Sequence, residues 1–148
     1  MMNPEKLILE TPYGTRDLLP RDASKMRHME NMLSCLFRSW GYDEVVTPTI
    51  EHLETLAPRV QEENSLFMLL GNQNKILALR NEMTTPIARL VSSRLKDAPV
   101  PLKLSYIGNV FRVEQTQTGR QCEFHQAGVE LMGSERPAAD AEIVSLAI

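Results

Sequence analysis

Cysteine is scarce in this chain: Cys35 and Cys122 are the whole supply. Two thiols so far apart make neither a disulfide framework nor a metal-binding spacing. Cys35 falls on a helical pattern and Cys122 just after a turn, so both are expected as reduced thiols in a cytoplasm. His28, His52 and His125 form no zinc-like spacing with cysteine or carboxylate, so no metal ligands are expected. No apolar run reaches membrane-spanning length, and the N-terminal residues lack a signal peptide's apolar core. A basic excess is missing too, with 16 Lys and Arg against 19 Asp and Glu and a formal net charge of −3. Phosphate backbones are met by clustered Lys and Arg, so composition argues against a nucleic-acid surface. Glycine-rich phosphate loops, internal repeats and low-complexity stretches are also absent.

What is present suits one domain with a real core: 148 residues, 43% hydrophobic and 24% charged. Pro12 to Pro20 (PYGTRDLLP) is a loop punctuated at both ends. A helix follows, with Asp22 or Ser24 as its cap, and Met26, Met29, Met32, Leu33, Leu36, Phe37 and Trp40 recur at helical spacing. That stripe is expected to pack in the core, and Gly41 to stop the helix. Tyr42 to Thr47 is expected as a short strand ended by Pro48. Glu51 to Glu63 is expected as helix then loop. Leu66–Leu70 and Lys75–Leu79 are expected to pair across Gly71–Asn74. A second helix is expected from Thr84 or Thr85 as N-cap, with Pro86 in its first turn and Ile87, Leu90, Val91 and Leu95 buried. From Asp140 a last helix begins without a stop signal, as if the chain were the N-terminal portion (1–148) of something longer.

The most informative stretch runs from Leu104 to Gly133, two strands joined by a polar turn. By alternation, Phe124, Gln126, Gly128, Glu130 and Met132 share one face with Leu104, Tyr106, Gly108, Val110, Arg112 and Glu114 of the first strand. The odd-numbered residues look the more apolar and are expected to bury. A pairing centred on Gly119 sets Arg112 opposite Gln126. An arginine, an amide and two carboxylates on one face read either as the floor of a polar ligand site or as a solvated sheet face. His125, on the other face, is expected as a satisfied structural histidine.

GTRDLLP (Gly14–Pro20), ALRNEMT (Ala78–Thr84), FRVE (Phe111–Glu114) and GRQCEFHQAGVE (Gly119–Glu130) together resemble the core of the histidine-specific class II synthetases. FRVE looks like their motif 2, and Thr47–Pro48 like their motif 1, which sits at a dimer interface. The resemblance implies an α+β fold with an antiparallel sheet flanked by helices. It also implies that Glu82 and Thr84 contact the amino group of a bound histidine, that Gln126 and Glu130 line its pocket, and that Arg112 reaches its carboxylate or a nucleotide phosphate. Gly128 would leave room for the ligand. Arg112, Glu114 and Arg120 would be what remains of an ATP site.

Two groups share this core: histidine–tRNA ligases, and the non-catalytic regulatory subunits of short-form ATP phosphoribosyltransferase. EMTTPIAR (Glu82–Arg89), SLFMLL (Ser65–Leu70) and GRQ (Gly119–Gln121) resemble the regulatory group more. Cys122 stands where the ligases carry a basic residue, which weakens any contact with ATP or a tRNA end. Asn81 departs from both, which have proline there. The implied protein is a histidine-binding homodimer that partners the catalytic phosphoribosyltransferase and needs no cofactor. The ligase reading would add ATP, magnesium and tRNA.

Overall fold

The computed structural model describes residues 9–57, 66–113 and 121–148, Gln73 by its backbone alone. Helix α1 (Pro20–Ser39) comes first. Pro20 at its first position needs no N–H partner and presets φ, so the helix starts before Asp22 or Ser24 and has Leu19 as an N-cap without a side-chain bond. Gly41, at φ +82°, ends it as expected, and Tyr42 N–H turns back to Phe37 O at 3.0 Å.

Two three-stranded sheets follow. Strands β1 (Asp43–Glu44), β5 (Leu102–Phe111) and β6 (Glu123–Met132) form one, in that order. β1 lies parallel to β5, and β5 and β6 make a long antiparallel hairpin. The smaller sheet orders β2 (Ile50–His52), β4 (Ile76–Leu79) and β3 (Met68–Leu70), all antiparallel. The expected β3–β4 pair is there, joined by a 3-10 turn at Asn72–Asn74. The segment after Pro48 opens as β2 and then the single turn α2 (Leu53–Leu56), not directly as helix. Residues 58–65 of that expectation lie outside the described residues. Helix α3 (Thr84–Arg94) leads into the hairpin, and α4 (Pro137–Ala147) follows it, starting three residues before Asp140 because Pro137 takes its first turn. Among the described residues no helix is long and apolar enough to cross a membrane.

The core corrects two expectations. Met83 and Ile87 of the α3 segment pack on Leu104, Tyr106 and Val110, with Phe124 and Met132 alongside. Those are even-numbered hairpin positions, so the even face is the buried one. His125 and Ala127 on the odd face are exposed. The large apolar residues at both ends of the even face outweigh the polar ones between them. The α1 stripe is likewise only half buried. Phe37 is enclosed, with Met26 and Leu33 partly covered, while Met29, Met32, Leu36 and Trp40 are 40–55% exposed. They occupy the helix's outer side.

A cluster at the far end ties α4 down. Tyr42 Oη donates to Glu142 Oε1 at 2.8 Å, and Lys103 Nζ approaches the same oxygen at 2.7 Å. The lysine and the tyrosine hydrogen bond hold the Glu142 carboxyl below its usual range. Burial and Glu142 push the Tyr42 phenol well up.

Candidate functional site

The hairpin register decides what meets on the even face. Tyr106 lies opposite Gly128, and Gly108 opposite Gln126. The expected pairing placed Gln126 opposite Arg112 and Tyr106 opposite Met132. Instead, Arg112 N–H donates to Cys122 O at 2.8 Å. The difference is an even number of residues, so each side chain keeps its face. The observed register lays the tyrosine ring over Gly128. A Cβ at position 128 would lie 2.5 Å from Tyr106 Oη and 2.7 Å from Cζ. Gly128 therefore makes room for Tyr106, not for a ligand as the sequence suggested.

Around that ring stand the polar groups. Gln126 Nε2 lies 3.4 Å from Tyr106 Oη, and Gln126 Oε1 is buried with no partner among the described residues. Leaving such an acceptor unpaired costs about 1–3 kcal/mol. Thr84 Oγ1 donates to Glu130 Oε1 at 2.7 Å, joining the start of α3 to β6. Glu82 accepts the backbone N–H groups of Thr84 at 2.6 Å and Thr85 at 2.8 Å. Those bonds correct the expected cap: Met83 is the N-cap residue by position, and the Glu82 carboxylate does the capping. Each carboxylate oxygen keeps a further lone pair, so Glu82 can still receive a cationic donor. Burial raises the Tyr106 phenol above its ordinary pKa, and the fields of Glu130 and Glu82 raise it further.

Arg112 ends the row. Its Nε donates to Asn81 O at 2.9 Å, and its guanidinium stacks 5.2 Å from the Phe124 ring centre. Asn81 thus supplies the carbonyl that holds the arginine. Glu114 and Arg120 lie outside the described residues. Of the expected set, Glu82, Thr84, Gln126 and Glu130 gather into one cluster, with Arg112 fastened to the same loop. Tyr106 was not among the expected site residues. It stood on the right face, but the assumed register put it too far from Gly128 to attract notice.

The chemistry of the cluster is one-sided. Two carboxylates, a phenol and an unpaired amide oxygen offer acceptors at the N-terminus of α3. A ligand rich in N–H donors, carrying a positive charge, would satisfy them.

Elsewhere the arrangement is structural. On the odd face His125 Nδ1 meets Glu30 Oε1 at 2.9 Å, and Arg27 Nη1 meets Glu30 Oε2 at 2.7 Å. His125 is thereby satisfied, as expected. Cavities of about 220 Å³ and about 350 Å³ flank it beneath α1. Cys122 is buried, and its N–H donates to Gly14 O at 2.7 Å. A Cβ on Gly14 would strike the Cys122 side chain. Position 122 is thus a packing position behind the Gly14 turn, and its buried side chain does not reach outward as the basic residue of the ligases was expected to.

Residues 14–148 match the family model described as histidyl-tRNA synthetase. An ATP phosphoribosyltransferase regulatory subunit of Desulforamulus reducens is 50% identical over 133 residues, 90% of this chain and 33% of that relative. A histidine–tRNA ligase of Methanocaldococcus jannaschii is 42% identical over 144 residues, 96% of this chain and 35% of the ligase. A solved structure described as an ATP phosphoribosyltransferase regulatory subunit/histidyl-tRNA synthetase from Bacillus halodurans superposes with a TM-score of 0.87 at 40% identity, covering 97% of this chain and 37% of the other. The chain spans about a third of the length of the curated relatives it matches.

Proposed function

Since this chain belongs to the histidyl-tRNA synthetase family and has its class II fold, we propose that it is the N-terminal portion of a regulatory subunit of ATP phosphoribosyltransferase, a non-catalytic protein that binds histidine and tunes its catalytic partner. The observation that carries the reading is the acceptor cluster of Glu82, Glu130 and the unpartnered Gln126 Oε1. Histidine brings complementary groups. Its ammonium is received by Glu82 beside Thr84, its imidazole N–H by Gln126 or Glu130, and its carboxylate by Arg112. Relatives named as regulatory subunits, at up to 50% identity against 42% for a ligase, support the regulatory role over the catalytic one. So does the enclosed Cys122.

A sensor of this kind needs differential affinity, not chemistry. Histidine binding shifts the partner if the two states of the assembly differ by about 1–3 kcal/mol in their hold on it. The exposed α1 stripe of Met29, Met32, Leu36 and Trp40 supports a homodimer, since a continuous apolar surface on a helix gains by being covered. The setting is the cytoplasm, with the short catalytic phosphoribosyltransferase as the partner.

The second reading is the histidine–tRNA ligase, favoured by the matched family's own description and by Arg112 at the end of β5. Titration calorimetry with histidine and histidine-dependent ATP–pyrophosphate exchange, both on the full-length gene product, separate the two. Histidine binding without exchange is expected. Exchange would make the protein a ligase, and absence of binding would remove the sensor. Glu130→Ala is expected to weaken histidine about tenfold, because a half-buried charged partner is lost.

A further inference from the structure

Arg80 directly follows β4, at the start of the loop that carries Glu82, and only 6% of it is exposed. Its donors go to carbonyl and hydroxyl oxygens from two separate segments. Nη1 donates to Thr47 O at 2.8 Å and to Thr47 Oγ1 at 3.2 Å, while Nε donates to Asn109 O of β5 at 2.8 Å. Its backbone repeats the link: Arg80 N–H donates to Thr49 O at 3.0 Å, and Arg80 O accepts Phe111 N–H at 2.9 Å. A Cβ at Gly108 would lie 2.6 Å from Arg80 Nη2, so the guanidinium rests against β5 where that strand has no side chain. Burial lowers the pKa of Arg80, and the field of buried Glu51 works the other way.

This arrangement needs an arginine. A planar fork can hold Thr47 and Asn109 at once, whereas a lysine ammonium reaches one of them. The residues just beyond are also gripped: Asn81 by Arg112, Glu82 by the α3 amides, Met83 by the core. Arg80 thus ties the start of the Glu82 loop to Thr47 on one side and to β5 on the other. Thr47 itself is buried, next to Val46, which is almost wholly in solvent.

We infer that Arg80 is a positioning residue for the pocket, a strut that fixes Glu82 against the hairpin and makes the pocket's hold on its ligand depend on the Thr47–Pro48 segment. The part of this that concerns ligand affinity rests on the histidine-binding reading; the placement of Glu82 does not. A displacement of Thr47–Pro48 reaches Glu82 through one rigid side chain, without any contact between that segment and the ligand.

The test uses Arg80→Lys, Thr47→Val and the double variant in the full-length gene product. Amide hydrogen exchange at Thr84 and Thr85 reads the Glu82 cap whether or not histidine binds. Both single variants should speed exchange at those two amides selectively, leaving the centre of α3 protected. Unchanged protection at Thr84 and Thr85 in Arg80→Lys overturns the strut. In wild type that binds histidine, Arg80→Lys should weaken binding about tenfold, as loss of a buried charge-assisted hydrogen bond does. The double variant should be no weaker than Arg80→Lys alone. Thr47→Val removes only the 3.2 Å hydroxyl bond of the link that Arg80→Lys already breaks, and by itself should have the smaller effect. A lowered melting temperature with unchanged affinity, or fully additive losses, would show Arg80 to be structural only. A wild type that fails to bind histidine sinks the pocket reading, and the exchange data then decide the strut on their own.

Discussion

The two faces of the β5–β6 hairpin are made from the same alternating strands and do opposite things. On the even face, Leu104, Tyr106 and Val110 pack beneath α3, and polar groups sit among them with most of their bonds made inside the protein. On the odd face, Glu30 of α1 meets His125, whose side chain is 34% exposed to solvent. Polar groups on a covered face are held by packing and answer to small displacements. Polar groups on the open face have water as a substitute partner, so their pairing counts for little. The contrast teaches that the chemically useful groups here are the ones interleaved with the core.

Three substitutions in the full-length protein, read by urea unfolding, would break or sharpen that contrast. Ile87→Ala should cost most, about 2–5 kcal/mol, because a fully enclosed side chain is removed from between α3 and the even face. A loss under about 1 kcal/mol would mean that α3 is not the cover it looks to be. Gly128→Ala should come next, at about 1–3 kcal/mol, because the new methyl meets the Tyr106 ring. It should also displace Gln126 and weaken histidine binding; a neutral result would mean that the Tyr106 ring does not rest on Gly128. His125→Gln should do least, within about 0–1 kcal/mol, since its partner Glu30 keeps Arg27 and water. A larger loss there would erase the difference between the faces.

Much of this architecture was legible in the chain itself. Gly41 ended its helix, the β3–β4 pair lay on either side of the Gly71–Asn74 turn, and alternation assigned the described strand residues of the hairpin to their proper sides. The strand expected over Tyr42–Thr47, by contrast, shrank to Asp43–Glu44, well short of Pro48. The motifs of the Gly14, Glu82 and Phe111 segments led to the synthetase-like core. Which side was buried was not legible, because periodicity separates two faces without saying what covers each. Leu104, Val110, Phe124 and Met132 were available as a signal, but Gln126 and Glu130 between them drew the reading toward solvent. Register escaped for a related reason: it seats the Tyr106 ring over Gly128, a three-dimensional fit that spacing along the chain does not express. Capping by Glu82 escaped because the hydroxyls of Thr84 and Thr85 are the commoner N-caps. The outer side of α1 misled most plainly, since an apolar stripe reads the same whether its own core or another surface covers it.

The two thiols of this chain sit in unequal surroundings: Cys35 faces outward on α1, while Cys122 is shut behind the turn at Gly14. An alkylating reagent meets the first directly. The second is buried against the Pro12–Thr15 turn, whose Gly14 carbonyl accepts the Cys122 N–H, so its alkylation is expected to be slower and to quicken when that turn is loosened. The protein thus carries its own clock for that opening, with Cys35 as the internal standard for reagent and time.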